Sequence, residues 1–202
     1  MKISDHCYIV SGLAVEPPWA VNAGFIVGDQ TTLVIDTGTN YLSAQTIHGY
    51  ATCARPENEL MVVNTEPHFD HIGGNSYFED KNILIYAHPG LKREEADLEM
   101  GKSEFNELIP NEVRKGANES EVFFYKTSLA NPSEPVHDGY NFSLGRVSAS
   151  VLETPGHTPA NLSLYVETDQ VLFCGDCIVT GYIPNLEAGD VEAWKTWWNS
   201  LD

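Results

Sequence analysis

The feature that most constrains this chain is a group of four side chains able to bind metal ions within six consecutive residues: Glu66, His68, Asp70 and His71. The i, i+2 spacing of Glu66 and His68 places both side chains on one side of an extended segment, whereas the adjacent Asp70 and His71 diverge. Such a group can serve two neighbouring ions. A simpler interpretation, in which these are polar loop residues and Asp70 caps a helix, explains Asp70 alone.

The motif lies on a loop between a predicted strand and a predicted helix. An apolar run at 60–63 comes directly before it, and Ile72-Gly73-Gly74-Asn75 follows. Functional loops of open α/β sheets lie at this end of the strand. Alternating and helical patterns elsewhere predict strands at 7–10, 24–27, 32–35, 83–87, 142–144, 147–152, 162–166 and 171–174, and helices at 41–54 and 190–201.

Strands and then a helix occur in each half of the chain, which favours an α+β fold of the αββα type with four layers. The 202 residues are 42% hydrophobic and 20% charged, as expected for one compact domain over residues 1–202. The charged region at about 90–120 is predicted to be a helical insertion over one face.

The motif resembles the metal-binding motif of a known family. Glu66-Pro67-His68-Phe69-Asp70-His71 resembles the HxHxDH metal motif of the metallo-β-lactamase superfamily, with Glu in place of the first His. Three other family motifs follow the family's order along the chain: Asp36 in Val34-Ile35-Asp36-Thr37-Gly38, His157 in Thr154-Pro155-Gly156-His157-Thr158, and Asp176 in Leu172-Phe173-Cys174-Gly175-Asp176.

The resemblance implies a metal-dependent hydrolase with zinc as its cofactor, one or two ions, and with iron or manganese as alternatives. It assigns Glu66, His68 and His157 to a first metal, Asp70 and His71 to a second, and Asp176 to a bridge between them. Asp70 is the residue to which catalysis is assigned, and Asp36 would tie the metal loop to the sheet. A metal-bound hydroxide would attack an ester, thioester, amide, lactam or phosphoester bond.

Glu66 adds a third carboxylate to a ligand set that usually has two. The more anionic site should acidify its water less and should shift the metal preference from zinc towards iron or manganese. A second hypothesis is therefore a diiron oxidoreductase related to the flavodiiron proteins, although their Glu usually stands where this chain has His68. A third is a non-catalytic, metal-poor binding domain.

Family members usually continue with one more strand and a further His for the second metal. This sequence stops at Asp202, before such a segment. Three interpretations stay open: a longer natural chain, a His supplied by another chain, or a site with one metal. Without that strand, Trp194, Trp197 and Trp198 of the last predicted helix would be partly exposed and would drive self-association into a homo-oligomer.

The negative charge of the chain disfavours polyanionic partners, so a small-molecule substrate is expected. With 11 Lys and Arg against 29 Asp and Glu, the formal charge of -18 disfavours nucleic acid and anionic membranes. Four scattered cysteines and the absence of a long apolar run predict a cytoplasmic protein. His6, His48, His88 and His137 have no second ligand at metal spacing and are predicted to be surface or hydrogen-bonded histidines.

Overall fold

The computed structural model describes residues 1–13, 21–94, 96–97, 99–100, 103, 128–181, 183–186 and 188–201. A first sheet contains six strands in the order of the chain: β1 (Cys7–Val10), β2 (Ala23–Val27), β3 (Thr31–Ile35), β4 (Glu59–Val63), β5 (Ile85–Ala87) and β6 (Glu134–Pro135). Strands β1 to β3 are antiparallel, and β3 to β6 run parallel. The parallel strands therefore end at one common edge.

A second sheet is antiparallel and has the order β10-β9-β8-β7, which places hairpin neighbours side by side. Its strands are β7 (Asn141–Ser143), β8 (Ser148–Glu153), β9 (Leu162–Val166) and β10 (Val171–Phe173). The α-helices described over their whole length are α1 (Tyr41–Ala54), α2 (Phe69–Ile72), α3 (Asn75–Glu79) and α4 (Val191–Trp198). Among these elements, β6 is a strand that the sequence pattern did not predict.

Alternation along β3 shows how the layers form. Leu33 and Ile35 belong to the apolar cluster between the two sheets, where Val151 and Leu164 come from the second sheet. Val34, between them in sequence, belongs instead to the cluster beneath α1 and α3. Since successive strand residues point to opposite faces, the first sheet is buried on both sides. Full burial of each such side chain stabilises the fold by roughly 1.5–3 kcal/mol.

Helix α1 begins where the sequence predicts a helix, at a well-formed cap. The Asn40 side chain accepts hydrogen bonds from the backbone N–H groups of Leu42 and Ser43, at 3.0 and 2.9 Å, and Ser43 Oγ accepts one from the Asn40 N–H. This capping box satisfies N–H groups that the first turn leaves free. Ala44, Ile47 and Ala51 then form the buried stripe that packs on the sheet.

At the other end of the chain, α4 packs near the second sheet through Trp194, whose Nε1 donates to the Cys177 carbonyl oxygen at 2.9 Å. Trp197 is buried, but Trp198 is 54% exposed, so only part of the predicted tryptophan face is covered. Of the predicted helical insertion, residues 96, 97, 99, 100 and 103 are helical. Residues 104–127 lie outside the described part of the chain. No helix in the described part is long and apolar enough to cross a membrane.

Candidate metal centre

The six predicted metal-binding residues meet at the edge where both sheets end. Glu66, His68, Asp70 and His71 lie on the loop and short helix α2 that follow β4. His157 comes from the loop after β8, and Asp176 lies in a 3₁₀ turn, Gly175–Cys177, directly after β10. The site therefore needs both sheets to be in place.

Glu66 is at the centre of this group. Its side chain is fully buried, and three imidazole nitrogens surround its carboxylate. Oε1 lies 2.8 Å from His71 Nε2, while Oε2 lies 2.9 Å from His68 Nδ1 and 3.1 Å from His157 Nε2. The two imidazoles on the Oε2 side are 3.1 Å apart at the same nitrogens. One carboxylate thus divides the site into two halves.

Charge inside the centre is strongly coupled. Burial opposes ionisation of Glu66, but the positive charge of His71 and contacts from the three imidazoles outweigh it and lower the pKa of Glu66 well below its usual value. Burial likewise lowers the pKa of His71, but Glu66, Asp36 and Asp70 outweigh it and raise that pKa well above the usual value. Without a metal, a proton on His71 supplies positive charge that these carboxylates need.

The remaining two carboxylates lie on the solvent side. Asp70 Oδ2 and Asp176 Oδ1 are each 3.7 Å from His71 Nε2, and Asp176 Oδ2 is 3.8 Å from His157 Nε2. Their side chains are 24% and 28% exposed. Burial, together with the nearby charges of Glu66 and Asp70, raises the pKa of Asp176 despite the two histidines. A substrate can therefore reach Asp70 and Asp176 more readily than Glu66.

Asp36 fixes the metal loop to the end of β3. Its carboxylate accepts hydrogen bonds from Thr65 N and Thr65 Oγ1, both at 2.7 Å, and lies 2.8 Å from His71 Nδ1. Its backbone φ is 61°, in the left-handed region that few residues other than glycine, asparagine and aspartate adopt. A proton held on His71 Nδ1 by Asp36 leaves Nε2 free to bind a metal.

A buried polar network behind the loop was missed by the sequence reasoning. The single proton of Thr37 Oγ1 is shared between the His71 carbonyl oxygen, at 3.0 Å, and Asn75 Oδ1, at 2.9 Å. Asn64 Nδ2 also donates to the His71 carbonyl oxygen, at 3.2 Å. The available signal was the placement of Asn64 and Asn75 beside apolar runs, where amides need partners. These contacts fix the backbone at His71.

Two glycines let the loop approach the end of β3. A Cβ on Gly73 would lie 2.1 Å from the Thr39 carbonyl oxygen, and one on Gly74 would lie 2.4 Å from the Thr37 carbonyl oxygen. Both distances are far below contact, so any larger residue would push α2 away from the sheet. The Gly-Gly pair is therefore part of what positions the site.

The donor set fits divalent metal ions. Ligand atoms of Glu66, His68 and His157 all lie within 4.8 Å of one another, and so do those of Glu66, His71 and Asp176. Ligand bonds of about 2.0–2.2 Å place the donors of one ion within about 4.4 Å, so small shifts of the side chains suffice. The first group matches the predicted first set. In the second, Glu66 stands beside His71 and Asp176, while Asp70 lies close by.

One cation lies beside the metal loop. Arg93 Cζ is 5.6 Å from the centre of the Phe69 ring, and Phe69 lies between His68 and Asp70. Reciprocal hydrogen bonds of 2.9 Å with the Asn131 side chain fix the Arg93 backbone. Burial lowers the pKa of Arg93, while the carboxylates of Asp97 and Glu66 oppose that shift, so the positive charge of Arg93 lies within electrostatic reach of the Glu66 centre.

A buried group of imidazoles and carboxylates at the edge of two facing sheets, with helices outside, defines a class of αββα domains with a metal centre. Consistent with this class, the family model described as the metallo-beta-lactamase superfamily matches residues 17–202. The chain belongs to the metallo-β-lactamase superfamily.

Individual relatives are more distant. The chain is 27% identical over 168 residues to the protein named "Probable metallo-hydrolase YqgX" of Bacillus subtilis (strain 168), covering 82% of this chain and 70% of that protein. It is 28% identical over 166 residues to "Acyl-coenzyme A thioesterase MBLAC2" of Gallus gallus, covering 79% of this chain but only 58% of that protein.

Among solved structures, a metallo-beta-lactamase from Pontibacter korlensis matches with a TM-score of 0.72 and 16% identity, covering 100% of this chain and 83% of that one. At this level of identity the likeness concerns the fold. It confirms the predicted αββα sandwich.

Proposed function

We propose that this chain is a metal-dependent hydrolase and that Glu66, His68, Asp70, His71, His157 and Asp176 hold its metal ions. The observation that carries the proposal is the convergence of three imidazoles on the buried Glu66 carboxylate, with two further carboxylates on the solvent side. Divalent cations held there would acidify and position a water molecule and would neutralise negative charge that develops on the substrate.

The protein groups have separable roles in this proposal. Asp36 keeps the proton of His71 on Nδ1, and Asn64 holds the His71 backbone, so the imidazole is oriented before any ligand arrives. Asp70, whose side chain is 24% exposed at the rim, would accept a proton from the attacking water and pass it to the leaving group.

The type of bond hydrolysed is proposed from one relative and from one nearby cation. Esters, thioesters, amides, lactams and phosphoesters all suit a centre of this kind, and a relative named as an acyl-coenzyme A thioesterase favours a thioester. Arg93, beside the metal loop, favours an acyl substrate that carries negative charge. Because the whole chain is strongly acidic, such a substrate needs a local cation of this kind.

Glu66 also bears on the metal. Two divalent cations with the carboxylates of Glu66, Asp70 and Asp176 leave a net charge of about plus one, against about plus two with the usual first His. We expect iron or manganese to compete better here than at an HxHxDH centre, because hard carboxylate oxygens suit them.

Metal analysis of protein purified without added metal, followed by a panel of activated esters, thioesters, lactams and phosphodiesters, tests the proposal. We expect one or two bound divalent ions and a loss of at least a hundredfold in kcat/KM for His157→Ala, with no comparable loss for the control His48→Gln. Two iron ions with a redox-active visible spectrum and no hydrolysis would indicate a diiron oxidoreductase instead. No bound metal would indicate a non-catalytic domain.

A further inference from the structure

A second group of potential ligands lies outside the Glu66 centre. His88 follows β5, His137 comes shortly after β6, and Glu153 ends β8. In sequence these residues are far apart, and the two histidines were expected to stand without a second ligand. The structure corrects that expectation, since the ligand atoms of all three lie within 4.8 Å of one another.

The contacts within this group are too long for strong hydrogen bonds. Glu153 Oε1 lies 3.6 Å from His88 Nε2 and 3.4 Å from His137 Nδ1. Hydrogen bonds between imidazole and carboxylate are usually about 2.7–2.9 Å. Donor atoms that share one tetrahedral ion with bonds of about 2.0–2.1 Å lie about 3.3 Å apart. The observed spacing is closer to that of shared ligands.

Glu153 and the backbone beside His137 are each fixed by hydrogen bonds. Asp138 Oδ1 accepts the backbone N–H of Glu153 at 3.0 Å, and the backbone N–H of Asp138 reaches Glu153 Oε1 at 3.3 Å. His137 follows the buried Val136, whose N–H donates to the Ala87 carbonyl oxygen at 2.8 Å. These contacts limit the conformational freedom of the Glu153 side chain and of the backbone beside His137, so less of it is lost when a ligand binds.

The tautomer of the His88 ring determines how much free energy metal binding costs at this group. Its Nδ1 accepts the Gly90 N–H at 3.1 Å, so the proton of the neutral ring is on Nε2. A metal on Nε2 moves that proton to Nδ1 and ends the Gly90 contact, which makes this site weaker than the buried centre. Burial lowers the pKa of His88, and the nearby His137 adds to this shift, although Glu153 opposes it.

We propose that His88, His137 and Glu153 form a separate, solvent-facing site for a divalent transition metal such as Zn²⁺. The two imidazoles and one carboxylate are the ligand types that zinc takes in proteins, and solvent can complete the coordination. The strongly acidic chain raises the local concentration of cations. A metal here joins the β5–β6 end of the first sheet to β8 of the second, so binding should stabilise the folded state.

Zinc binding in a chain that lacks the main centre tests this site independently of hydrolysis. In the double variant His71→Ala/His157→Ala, which removes an imidazole from each half of the Glu66 centre, equilibrium dialysis against zinc chloride should retain one zinc per chain. Adding His137→Ala should weaken that binding at least tenfold, since changes around metal ligands alone are worth about 10–100-fold. Adding His48→Gln, a histidine outside both groups, should change nothing.

Two further readouts guard against a folding artefact. His137 is 66% exposed, so its removal should leave the fold intact, and Glu153→Gln provides a second variant that keeps the side-chain shape. Zinc should raise the melting temperature of the double variant but not of the triple variant. Cobalt should give the visible absorption of a tetrahedral ion only with the group intact. Zinc binding that is absent from the double variant, or equal in the triple variant, overturns the proposal.

Discussion

Replacement of Asp36 by Asn should separate metal affinity from folding. Asparagine has the same shape and tolerates the left-handed backbone at φ 61°, whereas alanine there would add strain and leave three donors unpaired. The amide oxygen can still accept from Thr65 N. The amide nitrogen then occupies the place of Oδ2, where it can only donate.

The expected loss of metal affinity follows from the effect of this change on His71. Its Nδ1, 2.8 Å from Asp36 Oδ2, must become the acceptor, so its proton moves to Nε2, the atom 2.8 Å from Glu66 Oε1. The proton then occupies the Nε2 lone pair with which His71 would bind a metal. An Asp→Asn change beside a catalytic histidine has the same effect, because it favours the wrong tautomer. We expect metal affinity to fall about 10–100-fold, or about 1.4–2.7 kcal/mol, while the folding free energy changes by about 1 kcal/mol.

Competition with a chromophoric chelator measures the affinity, and urea unfolding of the metal-free protein measures stability. Asp29→Asn is the matched control, because Asp29 forms an ion pair with the exposed Arg146 away from the centre. An Asp36→Asn protein that binds zinc as tightly as the wild type would refute the argument. So would a loss of affinity as large in the Asp29 control.

Three further predictions follow from the charges. Glu66→His should raise zinc affinity and lower the pH at which hydrolysis begins, because a negative charge leaves the centre; zinc titrations and pH–rate profiles measure both. Arg93→Gln should raise KM for anionic acyl substrates by about tenfold and leave neutral ones nearly unchanged, as steady-state kinetics on matched pairs would show. The pKa of Asp169 is lowered from 3.8 to about 2, because hydrogen bonds from Ser4 and His6 outweigh the effect of burial, which raises it. Its contribution of about 2 kcal/mol is therefore present above pH 3.8 and lost as the pH falls through about 2, so Asp169→Asn should destabilise at pH 7 and progressively less at low pH in urea unfolding.

Local patterns account for much of the fold. The continuous apolar run in β3, the polar cap before α1 and the turn residues between strands depend on neighbours in sequence, so they predict elements to within a few residues. Strand β6 escaped prediction because its pairing partner, β5, lies more than forty residues away. A two-residue strand of Glu134 and Pro135 has no pattern of its own.

The candidate site divides in the same way. The sequence by itself determined that Glu66, His68, Asp70 and His71 share one loop, because spacing along a few residues fixes which side chains can be neighbours. That all six act as ligands stays a prediction. Only the tertiary structure decided that Glu66 stands among three histidines, and that His88, His137 and Glu153 form a second group. Those contacts join loops from both sheets, and their distances depend on how the two apolar faces pack, which no local pattern encodes.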